Sequence, residues 1–194
     1  MDRNARQPGK FWNPWRISGW SLVGGLLLLP AIAMNFTSEV QWTLSDFLLM
    51  GLMIGCVGLG IELAVRATRN NSYRGGAAVA LLTGFLVTWA NGAVGIIGNE
   101  DHPANLMFFA VIGIAIAGAF ITRFRARGLT VTMSAAAAGQ FAVPLIAIAI
   151  WSPPMTADLA RTLIFNSAFA VFWLASAYLF RDAAESDEQH INVN

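Results

Sequence analysis

The chain has 194 residues, of which 56% are hydrophobic and 12% charged, against about a quarter charged in soluble proteins. That balance excludes a soluble globular domain, and no polar stretch within the sequence is long enough to bury a catalytic core of its own. A formal net charge of +1 supplies no field to draw nucleic acid, so the information lies in how the charges are sorted along the chain.

A membrane helix needs about 20 mostly apolar residues at about 1.5 Å each. Segments 17–34, 44–65, 76–98, 104–122, 129–151 and 161–180 meet that requirement. None shows the alternation of a membrane strand, so an all-α, polytopic bundle of six spans is expected. The N-terminal tail is 1–16, the transmembrane domain 17–180 and the C-terminal tail 181–194. Trp12, Trp15 and Trp20 flank the first segment as interfacial anchors. Its run Leu26 to Leu29, Pro30 and Ala31-Ile32-Ala33 also resembles a signal peptide's apolar core and small-residue cleavage site, and cleavage there would leave five spans.

Thr43 and Asp46 form a capping-box start for the second segment, with Asp in place of the usual Glu or Gln. Pro103 suits the first turn of the fourth. Ser152-Pro153-Pro154 ends the fifth, because neither proline can donate to a continuing helix. Trp42 and Trp151 mark the outer boundary.

Eleven of the twelve Lys and Arg residues fall on one side of this ladder. Arg3, Arg6, Lys10 and Arg16 precede the first segment, and Arg66, Arg69 and Arg74 follow the second. Arg123, Arg125 and Arg127 follow the fourth, and Arg181 the sixth, leaving only Arg161 in a connection of the other parity. Cytoplasmic flanks retain basic residues during insertion, so both termini are expected in the cytoplasm. Glu39, Asp46, Glu100, Asp101 and Asp158 then lie outside.

Few residues inside the segments carry chemistry. Glu62 is the only ionisable side chain well within a span, and an acid there is either a proton or cation carrier or the partner of Arg66 four residues later. Asn91, Gln140, Asn166 and Ser167 form a second polar set. They are read as interhelical hydrogen bonds, or as the lining of a polar cavity open to the outside, with Pro144 freeing a backbone carbonyl nearby. Gly51 and Gly55, with Gly58 and Gly60, let helices approach closely, as does the stretch Ser134 to Gly139. Glu100, Asp101 and His102 concentrate oxygen and imidazole ligands in one outer turn. That turn caps a helix, and a metal site would need a second spaced cluster that the sequence lacks. Lone Cys56 excludes a disulfide framework. No His or Lys lies in a span, and no hydrolase, metalloprotease or nucleotide-binding motif occurs, so no cofactor is expected.

The stretch from Asn91 to Asn105, with its string Gly95-Ile96-Ile97-Gly98-Asn99-Glu100-Asp101-His102-Pro103-Ala104-Asn105, resembles a segment of a group of multi-span inner-membrane proteins of proteobacteria. The resemblance implies a bacterial inner-membrane location and carries no activity. Three functions are then in play. The first is an accessory or assembly component of a membrane complex, whose partners are the lipid bilayer and other subunits or a second copy. The second is a small-solute or ion transporter or channel built on the polar set and Glu62. The third is an intramembrane enzyme with an outer-face site at Glu100, Asp101 and His102.

Overall fold

A computed structural model describes residues 14–99, 101–152 and 157–192 of the chain. The expectations for Arg3, Arg6, Lys10, Trp12, Glu100 and Pro153-Pro154 lie outside the described residues, as do the side chains of Trp15, Arg16 and Asp158. Six helices follow in order: α1 (Pro14–Ala33), α2 (Leu44–Ala67), α3 (Asn71–Ala93), α4 (Leu106–Ile121), α5 (Ala126–Trp151) and α6 (Ala157–Asn192). A 3₁₀ turn, Pro103–Asn105, leads into α4. Among the described residues, α2, α3, the turn with α4, α5 and the stretch Leu159–Gln189 of α6 are long and apolar enough to cross a membrane. The protein is a multi-pass, all-helical membrane protein. The described apolar run of α1, Ile17–Ala33, is shorter than those five.

The chain divides into two compact units, Met1–Gly58 and Leu59–Asn194. In the first, α1 meets the middle of α2 where the latter is bare: a Cβ placed on Gly58 would lie 3.4 Å from the Trp20 ring, and one on Gly51 3.7 Å from Leu27. The capping box closes as the spacing implied. Thr43 N donates to Asp46 Oδ2 at 2.7 Å, and Asp46 N reaches back to Thr43 Oγ1 at 3.4 Å.

The second unit holds the core. Val87 of α3, Phe108 and Val111 of α4, Leu129 and Met133 of α5, and Phe169, Trp173 and Phe180 of α6 are buried together. Small residues set the spacing. Phe180 lies flat against Gly76, where a Cβ would sit 3.2 Å from the ring, and Ser176 Oγ donates to Gly76 O at 2.8 Å. Thr132 and Thr122 occupy the space that side chains at Gly118 and Gly128 would need, which draws α4 and α5 into a close hairpin. The outward faces stay apolar, with Phe109, Ile116, Val131, Leu145, Ile164, Val171 and Leu174 exposed as bilayer contact requires.

Several boundaries differ from the sequence reading, and α3 begins at Asn71 rather than 76 and α6 at Ala157 rather than 161. Helix α3 stops at Ala93 instead of running to 98, because Val94 leaves helical geometry and Gly95 and Gly98 take φ of 70° and 69°, the left-handed region glycine tolerates. In place of a polar tail after 180, α6 continues to Asn192. Its last turns contain no Gly or Pro, they bury Ala183 and Ala184, and Arg181 pairs with Glu185 one turn on at 2.7 Å.

The basic end of this unit is tied together across the chain. Asn70 caps α3 by accepting from Tyr73 N at 3.1 Å, and its amide nitrogen reaches Ala183 O at 3.3 Å and Asp187 Oδ1 at 3.4 Å. Ser72 bonds Asp182, and Arg127 pairs with Glu188. The α4–α5 connection passes through Arg123 and Phe124, both non-glycine residues at positive φ of 53° and 58°. Such positions cost of order 1–3 kcal/mol each, and Tyr73 Oη helps hold the second by donating to Phe124 O at 2.8 Å.

Candidate functional site

The deepest polar cluster is built on a proline. Pro144 has no backbone N–H, so the carbonyl of Gln140 one turn earlier loses its helical partner. Asn166 of α6 supplies the replacement, donating from Nδ2 to Gln140 O at 2.9 Å. In return Gln140 Nε2 donates to Asn166 Oδ1 at 2.9 Å, and Trp173 Nε1 points to Gln140 Oε1 at 3.4 Å. Gln140 and Asn166 have no exposed surface at all, so no water-sized void touches either. Pairing is what makes their burial tolerable, since an unpaired amide in hydrocarbon costs several kcal/mol.

Asn91 belongs to a different cluster. Its Nδ2 donates to Asn105 O at 3.0 Å. The Asn105 side chain organises the whole α3–α4 connection. Its Oδ1 accepts from Ile96 N at 3.1 Å and Ile97 N at 2.9 Å, while its Nδ2 donates to Ile97 O at 3.1 Å and Asn99 O at 2.6 Å. One amide thus stands in for four backbone partners, and it folds Ile96 back into the core at 5% exposure. Among the described residues no donor reaches Asn91 Oδ1, although it is buried. Ser167 does neither job, since its hydroxyl donates to Leu163 O of its own helix at 2.7 Å.

The four polar residues read as one set therefore fall into three hydrogen-bonding situations. Two of them close on each other, one joins the outer connection, and one back-bonds to its helix. Asn105 is the residue that sequence reasoning passed over. Its signal is an Asn after Pro-Ala at a helix start, downstream of two glycines, which in the sequence merges with the polar run before it.

Glu62 lies against Arg66, with Arg66 Nε donating to Glu62 Oε1 at 2.9 Å and the guanidinium 2.7 Å away at its nearest approach. The Glu62 side chain keeps 18% of its surface exposed and Arg66 60%, so this is a pair within one helix, near the end of α2. Arg74 serves the same end differently. It donates to Val65 O and Thr68 O, both at 2.8 Å, covering carbonyls that the end of α2 leaves open. Of the packing glycines, Gly51 meets Leu27, whereas Gly55 has open space where its side chain would be.

In the outer turn, His102 Nδ1 accepts from Ala104 N at 3.2 Å and caps the 3₁₀ turn. The ring meets Trp151 edge-on with centroids 5.2 Å apart. Asp101 is exposed beside it. Among the described residues no three His, Cys, Asp or Glu side chains form a group able to hold a metal ion. No protein-family model matches the chain, and neither a curated protein nor a solved structure matches it.

Proposed function

We propose that the protein is a non-enzymatic component of a membrane complex, an accessory or assembly factor in a bacterial inner membrane, with six spans and both termini in the cytoplasm. The observation that carries this reading is the closure of the buried amides. Gln140 and Asn166, the deepest polar pair, are spent on each other and on the carbonyl that Pro144 frees. They hold α5 to α6, and both side chains are buried.

The eleven-to-one sorting of basic residues supports the orientation. The described run of α1 supports a sixth span as a shorter segment. The Asn91–Asn105 stretch supports kinship with the proteobacterial group it resembles. Purification from native membranes in mild detergent should recover a stoichiometric protein partner. A solitary, monodisperse chain whose deletion leaves every membrane complex intact would overturn the proposal.

Transport keeps one supporting observation, the unpaired Asn91 Oδ1. It predicts solute uptake in proteoliposomes that Glu62→Gln alters. Uptake no greater than in empty vesicles removes it.

A further inference from the structure

Between the start of α5 and the last turns of α6 lies an open cavity of about 270 Å³, lined by Arg127, Thr130, Arg181, Ala184, Glu185 and Glu188. Its depth follows from the two helices. Residues 162–180 of α6 carry no charge, and neither does α5 after Arg127. Arg181 and Arg127 therefore stand where hydrocarbon gives way to headgroups, the level at which guanidinium groups anchor membrane helices. Glu185 and Glu188 come four and seven residues farther along α6, about 6 and 10 Å nearer the water at 1.5 Å per residue.

The backbone positions of the two Arg therefore lie inward of those of the two Glu, while each guanidinium reaches out to a carboxylate. Two Arg against two Glu leave it without net charge, so a simple anion gains nothing there. The Arg181 guanidinium gives its Nε to Glu185 at 2.7 Å and Arg127 meets Glu188 through Nη2, and a guanidinium carries five N–H donors, so donors remain on both. The matching ligand has a phosphate on its inner side and a cation able to donate hydrogen bonds on its outer side.

We propose that this cavity binds the phosphoethanolamine headgroup of a membrane phospholipid, with the phosphate on Arg127 and Arg181 and the ammonium on Glu185 and Glu188. Phosphocholine presents the same phosphate, but its quaternary nitrogen has no N–H for the carboxylates. Phosphoglycerol has no cation at all. The inference rests on α5 and α6 crossing a bilayer and is the same whether the bundle is an accessory subunit or a transporter.

The full-length protein, purified in detergent, would be exposed to phosphatidylethanolamine, phosphatidylcholine and phosphatidylglycerol with identical acyl chains, and bound lipid read by native mass spectrometry. Phosphatidylethanolamine should be retained about tenfold more tightly than phosphatidylcholine, the scale of a charge-assisted hydrogen bond. Glu185→Gln with Glu188→Gln should remove that preference, and Arg181→Gln should weaken binding of all three lipids. Should the double variant not fold, Glu188→Gln alone, at a side chain 45% exposed, should at least halve the preference. Equal retention of the three lipids, tighter retention of phosphatidylglycerol, or a preference that survives the Glu variants would overturn the proposal. So would displacement by soluble glycerophosphoethanolamine at the concentration of the lipid, which would assign the cavity to a free solute. Release of the protein from membranes by alkaline carbonate is a separate failure, that of the membrane placement itself.

Discussion

Asn105 makes four backbone hydrogen bonds with one side chain, which concentrates the outer connection's stability in a single residue. Replacing it with Ala would leave two N–H groups and two carbonyls at the Ile96–Asn99 turn without partners. Each orphaned group costs about 1–3 kcal/mol before relaxation and water entry, so Asn105→Ala should destabilise by about 2–4 kcal/mol. Hydrogen exchange should locate the loss, with the amides of Ile96 and Ile97 exposed and those of α5 unchanged. Undiminished protection at both positions would show that the turn stands without the amide. Pro144, Gln140 and Asn166 permit a sharper test, because one carbonyl has two competing donors. Asn166→Leu alone should cost about 1–3 kcal/mol by stranding Gln140 O together with Gln140 Nε2. In a Pro144→Ala background the restored backbone N–H takes that carbonyl, and the cost should shrink by about 1 kcal/mol. Strictly additive costs in denaturant titrations of micellar protein would disprove the substitution of one donor for the other. At this scale the sequence was half legible. That Pro144 would free a carbonyl follows from covalent chemistry, whereas which side chain would take it depends on the register of α5 against α6, and no local pattern encodes that.

Some helix starts were legible from local devices alone. The Thr43–Asp46 box and Pro103 are local devices, each complete within four residues, and both stand where their spacing put them. The end of α3 was misjudged because Val94, Ile96 and Ile97 are apolar, and hydropathy alone extends a span through them. Two glycines at positive φ and an Asn eight residues away decide otherwise. The last turns of α6 were misjudged for the opposite reason. Their polarity reads as tail, yet Ala183 and Ala184 are buried and Asp182, Asp187 and Glu188 have partners on other elements. Asn70 joins these elements, since its carbonyl oxygen caps α3 while its amide nitrogen holds α6. Two substitutions separate the roles. Asn70→Ala removes both and should cost about 0.5–2 kcal/mol for the cap alone. Asn70→Asp keeps an acceptor for Tyr73 N but places a carboxylate against Asp187. It should preserve the start of α3 while raising hydrogen exchange across 183–189. Equal protection of that stretch in both variants and the native protein would mean that Asn70 does not hold α6.

Across the whole molecule, the stretches 66–74, 122–127 and 181–188 meet at one end of the larger unit through Asn70 to Ala183, Tyr73 to Phe124 and Arg127 to Glu188. These are three of the stretches that carry the basic residues. The convergence explains why the formal charge says so little: Arg66, Arg127 and Arg181 are each paired with a carboxylate, and Arg74 is spent on helix-end carbonyls. Basic residues that an insertion rule would keep on one side thus also serve packing at this end of the unit. The orientation can be tested by cysteine labelling in whole cells. Cys56 is exposed and must first be removed, so the background is Cys56→Ala. In it, Gln41→Cys in the α1–α2 connection should react with a membrane-impermeant maleimide from outside, and Ala126→Cys at the start of α5 only after the membrane is opened. Because both positions flank spans whose parity the six-span reading fixes, reversal of the two results would invert the topology. Labelling of both from outside would mean that the segments between them cross the bilayer an even number of times, and the six-span account would fail.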